Sequence, residues 1–197
     1  MPSTPRPART SYHHGALREA LLDGARELLA EGGADSFSLS ALARRLGVST
    51  AAPYRHFADK DALVDELCGE GYREFGRALT QAASSTTDAR ERLDALGVAY
   101  LRFAREHPAV FGIMFTDRGP AVLASGVPTF EVLVDAVVAA QDAGALPPGA
   151  DPRVLARTVW ATLHGLAVLG RRGGFTKLAI DDDEARLVAD ALALLTR

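Results

Sequence analysis

The sequence predicts an all-α protein of about nine helices, with a three-helix helix-turn-helix domain followed by a larger helical domain. Two observations lead to this fold class. Apolar residues recur at helical spacing, and from residue 61 onward no pattern typical of a β-strand is present. Glycine and proline pairs interrupt the apolar pattern and mark where one helix ends and the next begins. We expect two domains, 1–60 and 61–197, and the 48% hydrophobic content provides ample core material for both.

The first predicted helix runs from about Gly15 to Glu31. Leu17, Leu21, Ala25 and Leu28 repeat along one of its faces, which is the spacing of an amphipathic helix. The pair at 32–33, Gly-Gly, is an efficient helix terminator. We expect this helix to bury the inner faces of the two helices that follow.

The stretch from Ser38 to Lys60, SLSALARRLGVSTAAPYRHFADK, predicts two short helices joined by a tight turn at 46–48. Gly47 lies where the first helix must end in a left-handed conformation. Ser38 and Ser49 each precede a helical run and can cap its free amide groups. This is the layout of a helix-turn-helix, whose second helix lies in the DNA major groove. The first domain is therefore a candidate DNA-binding head.

The residues after Ser49 have side chains suited to a DNA surface. Those at 50–52 are Thr-Ala-Ala, which are small enough to enter the groove and can contact thymine methyl groups. Tyr54 and His56 carry a hydroxyl and an imidazole that can bind phosphate oxygens. Asp59 is expected to cap the next helix, which places Lys60 and that helix's first amide groups near the phosphate backbone.

Two neighbouring positions are expected to serve the structure of the head. Pro53 would fall at the end of the first turn of the second helix, where it removes at most one intrahelical hydrogen bond. Phe57 is expected to turn inward to the core. Both residues would then fix the segment that carries the candidate contacts.

The overall charge of −3 is divided unevenly along the chain. Residues 1–60 hold eight Lys and Arg against six acids, which is +2, and residues 61–197 carry −5. Residues 1–12, MPSTPRPARTSY, contain arginine and proline and no acid. They predict a solvated tail or, alternatively, an arm that reaches DNA beside the main contact. The asymmetry is modest evidence that only the first domain meets phosphates.

The larger domain shows apolar repeats separated by turn signals. A polar break, SSTT, occupies 84–87, His107-Pro108 forces an end and a new start, and Gly119-Pro120 breaks the pattern again. Between 107 and 119 the short run AVFGIMF is strongly apolar. The expected longer helices are 60–83, one opened by Asp88, about Val127 to Ala143, 152–170, and Ala185 to Leu195 after the acidic run Asp181 to Glu184.

The two closing helices, about 152–170 and 183–196, have more apolar surface than one body can bury. One interpretation is a homodimer interface in which both subunits form a four-helix bundle. The other is a central core helix beside an ordinary terminal one. Dimerisation also suits the head, since paired heads contact a palindrome.

Aromatic and methionine residues are concentrated in the larger domain and can line a cavity for a small, largely apolar ligand. The alternative is that they form an ordinary core. The polar anchor of such a ligand is expected to be His164 or an arginine, and His164 is alternatively a hydrogen-bonded core residue. Gly165 is expected to permit close helix packing. The candidate cavity residues are Tyr100, Phe103, Phe111, Met114, Phe115, Phe130, Trp160 and His164.

Other chemistry has little support in the sequence. The single cysteine, Cys68, excludes a disulfide framework, and the acidic run at 181–184 is better explained as a helix cap than as a metal site. No cofactor motif is present, no apolar run approaches a membrane span, and no signal peptide opens the chain. We therefore expect a cytoplasmic protein without metal or cofactor. A small helical enzyme using His164, or a helical protein-binding adaptor, remains as an alternative.

The pattern Tyr54-Arg55-His56-Phe57, followed by Lys60 and Leu63, resembles the TetR family of bacterial regulators, as does the opening Tyr12-His13-His14-Gly15. The segment WATLHGL at 160–166 is similar to the Trp-His-Gly subgroup, and Pro53 departs from the commoner leucine. The resemblance implies a repressor that an effector releases from a palindromic operator. It implies base contacts at Ser40, Thr50, Ala51 and Ala52 in the recognition helix opened by Ser49, and phosphate contacts at Ser38, Tyr54, His56 and Lys60.

Overall fold

The computed structural model describes residues 14–33, 37–180 and 183–195. Within these ranges every regular element is helical, which confirms the all-α fold class. Nine α-helices and one 3₁₀ helix occur there. They are α1 His14–Gly32, α2 Leu39–Arg45, the 3₁₀ helix Pro53–Arg55, α3 Lys60–Ala83, α4 Ala89–Glu106, α5 Pro108–Met114, α6 Pro120–Asp142, α7 Pro152–Arg171, α8 Gly174–Lys177 and α9 Glu184–Leu195.

The chain forms two compact units, Met1–Val64 and Asp65–Arg197, which we call the head and the body. The division falls inside α3. The expected N-terminal arm, 1–12, and the Tyr12-His13 part of the opening motif lie outside the described residues. So do Asp181 and Asp182 of the acidic run.

The head is built on the packing of α1 against α2. Leu21 and Leu22 of α1 and Leu42 of α2 are fully buried, as the periodicity predicted for an amphipathic pair. Gly33 follows α1 with φ of +79°, a left-handed conformation that ends the helix at the expected place. Ser38 caps α2, its hydroxyl oxygen accepting a hydrogen bond from the Ala41 amide at 3.1 Å.

The second helix of the motif is shorter than expected and is not α-helical. The Ala52 amide bonds to the Ser49 carbonyl at 2.9 Å, and the Arg55 amide to the Ala52 carbonyl at 3.2 Å, so successive tight turns replace the α-helical pattern. Pro53 opens the 3₁₀ helix, and Ala52, not Ser49, occupies its N-cap position. Because Pro53 has no amide hydrogen, it cannot donate the α-helical bond to Ser49.

The body is organised around α4, which packs against α5, α6, α7 and α9. Asp88 caps α4 as expected, accepting from the Arg90 and Glu91 amides at 2.8 and 2.9 Å. His107 ends α4, and Pro108 opens α5. The expected break between these helices is therefore confirmed, because a residue before proline avoids the helical region.

Helix α6 begins at Pro120, earlier than the expected start near Val127, and continues through Pro128. Proline is tolerated in the first turn of a helix, so the Gly119-Pro120 pair starts the helix at once. Helix α6 also meets the length and composition criterion for a membrane span, with a mean hydropathy of 1.7 in its best window, although the sequence analysis expected no apolar run near that length. A core helix meets the same criterion, and α6 packs on α4 and α7 with Val137 and Ala140 fully buried.

The end of the body contains one helix that the sequence did not indicate. This is α8, a single turn that follows Gly173 with φ of +65° and packs on α7. The last helix, α9, starts where the acidic run predicted. Asp183 caps it by accepting from the Arg186 amide at 2.8 Å, so this part of the run acts as a helix cap.

Candidate functional site

The residues predicted to contact DNA lie on the surface of the head. Tyr54 is 55% exposed, although Pro53 beside it is buried. Four of the other predicted positions are half-buried, and the rest are exposed. The half-buried residues are Ser40, Ala52, His56 and Lys60, and the exposed ones are Ser38, Ser49, Thr50, Ala51 and Tyr54.

Phe57 and Asp59 fix the C-terminal end of the exposed segment. Phe57 is 6% exposed, as expected, and the Arg18 guanidinium lies 5.4 Å from the centre of its ring. Asp59 caps α3 by accepting from the Ala62 amide at 2.8 Å. This cap orients the first turn of α3, where Lys60 begins the helix. The head thus anchors the C-terminal end of the surface segment that carries the candidate contacts.

The arginines at 44 and 45 have different environments although they are adjacent. Arg45 bonds to Glu31 at 2.7 and 2.9 Å and to Glu27 at 3.0 Å, so acids of α1 neutralise it. The hydrogen bonds from Arg45 to Glu31 lower the pKa of the Glu31 carboxyl. Arg44 and Arg55 are exposed, and neither forms an ion pair with the described residues. Sequence reasoning did not select these two cations, because spacing does not show which arginine an acid neutralises.

The body contains a cavity of about 500 Å³ with a mostly apolar wall. Six of the eight residues predicted from the sequence to line a cavity lie on its wall. Helices α3, α4, α6 and α7 all contribute, and α5 contributes at its C-terminal end. The six are Tyr100, Met114, Phe115, Phe130, Trp160 and His164.

Phe103 and Phe111, the other two predicted residues, do not border this cavity. Phe103 is 3% exposed and packs between Phe75, at 4.9 Å between ring centres, and His107, at 4.6 Å. Phe111 is buried and stacks on His164 with ring centres 5.5 Å apart. Phe103 therefore packs among aromatic rings in the core of the body.

A chain of three polar groups runs along the cavity wall. The Trp160 indole N–H donates to the Tyr100 hydroxyl oxygen at 3.2 Å, and that hydroxyl lies 2.9 Å from Nδ1 of His164. In the simplest arrangement, the Tyr100 hydroxyl donates to Nδ1 and the imidazole carries its proton on Nε2. Burial lowers the pKa of His164, which favours the neutral ring. Burial also raises the pKa of Tyr100, so the phenol remains protonated.

The sequence did not single out several wall residues, because only the packing of the helices shows which side chains border the remaining space. Tyr72 and Thr129 are two of them, and Arg153 is a third. The Arg153 guanidinium makes two bonds to Glu131, at 2.8 and 3.0 Å, and lies 5.6 Å from the Phe130 ring centre. Glu131 therefore already neutralises the cation of this wall.

Hydrogen bonds connect α3 to the segment 113–118, part of which borders the cavity. The Tyr72 hydroxyl donates to the Met114 carbonyl at 2.6 Å, and the Asp65 carboxylate accepts from Arg118 at 2.5 Å. The Cys68 thiol is 3.5 Å from the Ile113 carbonyl, and burial raises its pKa to about 11. A thiol of such high pKa is inert, so Cys68 has a packing role.

The surface of α7 and α9 keeps apolar side chains in contact with solvent. Val154 and Leu169 of α7 are 45% and 52% exposed, and Leu194 of α9 is 71% exposed. A Cβ on Gly165 would meet no atom of the described chain within 4 Å. The expectation that Gly165 permits close packing is therefore wrong within a single chain. No trio of His, Cys, Asp or Glu able to hold a metal occurs in the described ranges.

An exposed head segment of short and polar side chains, joined to a hollow helical body, defines a helix-turn-helix regulatory protein. The comparisons with known families agree. Residues 93–195, more than half of the chain, match the family described as "Tetracyclin repressor-like, C-terminal domain". Residues 21–67 match "Bacterial regulatory proteins, tetR family". The chain belongs to the TetR family.

Individual relatives are similar over different lengths. The HTH-type transcriptional repressor Rv1474c of Mycobacterium tuberculosis is 41% identical over 64 residues, 32% of this chain and 34% of that protein. The repressor KstR2 of Rhodococcus jostii is 32% identical over 110 residues, 54% and 53%. The chain thus spans between a third and about half the length of these curated relatives. A solved protein of unknown function from Rhodococcus sp. RHA1 is 34% identical, with a TM-score of 0.82 over 96% of this chain and 98% of that one.

Proposed function

We propose that this protein is a transcriptional repressor that binds a palindromic operator as a homodimer and releases it when a small, largely apolar effector enters the body. One observation carries the DNA-binding part. In a chain of the TetR family, Thr50, Ala51 and Tyr54 are exposed, while Pro53 before Tyr54 and Phe57 after it are buried. Small and hydroxyl-bearing side chains held outward in this way suit base edges and phosphates.

The DNA-binding part is tested by gel shift with DNA from upstream of the protein's own gene, at low and raised salt. We expect Tyr54→Phe and Lys60→Ala to weaken binding, because each removes a group placed to contact phosphate. Lys60→Ala also reduces the slope of log affinity against log salt by about one. If both variants bind as the wild type does, the assigned surface is wrong.

The homodimer is proposed to form through α7 and α9. Support comes from the exposed Leu169 and Leu194 and from the open space beside Gly165, where a helix of a second copy can approach. Light scattering after gel filtration gives the test. Leu194→Asp is expected to produce monomers, and Leu123→Asp, an equally apolar exposed position on α6, is the matched control. Dimers of unchanged affinity in Leu194→Asp would exclude this interface.

The cavity supports the effector part of the proposal. Its wall is apolar, and Tyr100 and His164 can orient a ligand by one or two hydrogen bonds. The effector must bind the DNA-incompetent state better than the competent one. Helix α3 carries the change, since Tyr72 both borders the cavity and bonds to Met114. We propose that His164 acts here as a ligand anchor in a protein without enzymatic activity.

A further inference from the structure

A second, smaller cavity of about 320 Å³ lies between α5 and the C-terminal end of α7. Two of its walls, Phe115 and His164, are also walls of the aromatic cavity. The two spaces are therefore adjacent, and the Phe115 and His164 rings, with centres 4.7 Å apart, border both of them. The remaining walls of the smaller cavity include a pair of arginines, Arg171 and Arg172.

Both arginines are exposed, and Arg171 is oriented by an aromatic ring and not by an anion. The Arg171 guanidinium lies 5.7 Å from the centre of the Phe111 ring, and its two terminal nitrogens lie 3.9 Å from where a Cβ on Gly112 would be. Stacking of this kind fixes the planar fork of the guanidinium. Among the described residues, no carboxylate contacts Arg171 or Arg172. Partial burial and the charge of Arg172 lower the pKa of Arg171, which indicates an uncompensated cation.

The cation on the aromatic cavity provides the contrast. Arg153 makes two bonds to Glu131, so an incoming anion would compete with a carboxylate already in place. At Arg171 and Arg172 an anion meets two positive charges, and the negative end of the α7 dipole opposes it. A carboxylate, sulfonate or phosphate group also matches the geometry of a guanidinium fork.

We propose that the ligand of the body is an amphipathic anion, with its apolar part in the aromatic cavity and its anionic group bound by Arg171 and Arg172. This inference rests on the proposed function, in which the aromatic cavity holds the effector. It adds the charge of the ligand and the end of the cavity at which that charge lies. Phe115 and His164 border both spaces, and their rings are in contact with centres 4.7 Å apart, so the two rings must separate for one ligand to occupy both spaces.

The test compares two probes with the same ring system, anilinonaphthalene sulfonate and the uncharged N-phenylnaphthylamine. Trp160 is the single tryptophan of the chain and borders the aromatic cavity, so energy transfer from Trp160 reports binding there. We expect the wild type to bind the sulfonate about tenfold more tightly than the neutral probe, because charge-assisted bonds are the stronger ones. The double variant Arg171→Met, Arg172→Met should bind both probes equally and keep the wild-type affinity for the neutral one.

Arg102→Met is the matched control, since Arg102 is an exposed arginine of α4 that borders neither cavity. It should retain the preference for the sulfonate. Single Arg172→Met should lose part of it, which keeps the test valid if the double variant folds poorly. Equal affinities in the wild type, or a preference that survives in the double variant, would overturn the anionic site alone. Absence of energy transfer to either probe would overturn the ligand cavity and, with it, this inference.

Discussion

The head holds its candidate functional groups on its outer surface, whereas the body holds its candidate groups around an internal cavity. In the head, Thr50 and Tyr54 face solvent while Phe57 fills the core. In the body, Tyr100 is 4% exposed and turns its hydroxyl toward an internal cavity. A large charged polymer must be met from outside, whereas a small apolar ligand gains most when it is enclosed. The fold therefore separates the two kinds of recognition.

This difference has an energetic consequence. Substitutions of exposed side chains generally change stability by less than about 0.5 kcal/mol, so changes in the head segment should alter affinity alone. Buried substitutions in the body disturb close packing and should alter stability first.

The largest effect is expected for Ala51→Glu, which places a negative charge on the exposed segment of the head. If this segment meets phosphates, operator affinity should fall by about a hundredfold or more, because like charges at an interface cost several kcal/mol. The melting temperature should stay close to that of the wild type, since Ala51 is exposed. Ala150→Glu, at an exposed position of the body, is the control and should bind DNA normally. Normal DNA binding by Ala51→Glu would remove this segment from the interface.

The sequence was sufficient where a structural signal is local. The caps at Ser38, Asp59 and Asp88 and the left-handed Gly33 and Gly47 follow from single residues and their immediate neighbours. Two local signals were misjudged. Pro53 converted the expected α-helix into a 3₁₀ helix, and Pro120 started α6 seven residues before Val127. In both places the missing amide hydrogen of proline decides the geometry.

The cavity was less predictable because it depends on contacts between distant segments. Helical spacing correctly turned both Tyr100 and Phe103 inward, yet only Tyr100 borders the cavity. Phe103 faces a neighbouring ring, Phe75, and no void remains there. Periodicity shows which face of a helix is buried, but the packing of other helices determines where space is left. The partners of Arg45 and Arg153 could not be predicted for the same reason.

The next largest effect concerns packing in the body. A Cβ on Gly97 of α4 would lie 2.5 Å from Cγ1 of Val188 and 3.2 Å from Leu163, both buried. Gly97→Ala should therefore destabilise the protein by about 1–3 kcal/mol, measured by chemical denaturation. Gly69→Ala in α3 is the matched control, since its Cβ would approach only the mobile end of Arg73. It should be neutral or stabilising by up to about 1 kcal/mol. Equal stabilities of the two variants would contradict the tight packing of α4.

A smaller effect is expected from the ionisation of His164. Burial holds its folded pKa below the ordinary 6.5, so the unfolded chain takes up a proton first as the pH falls. The stability due to the neutral ring is present above pH 6.5 and is lost as the pH falls through the folded pKa. Thermal melting at about pH 7.5 and about pH 5 should show a larger loss in the wild type than in His164→Gln. Identical losses would mean that His164 is as solvated in the folded state as in the unfolded one.

The smallest effect belongs to the head, at the exposed pair of Arg45 and Glu31. The pKa of Glu31 is lowered from about 4.5 by its bond to Arg45, so its contribution to stability is present above that pH and lost as the pH falls through the folded pKa. Glu31→Gln should therefore melt slightly below the wild type at neutral pH, and the gap should close in acid. Operator affinity should not change, because Arg45 is bonded to α1 and Arg44 faces solvent. A loss of affinity in Glu31→Gln would show that the head couples its internal ion pairs to its DNA surface.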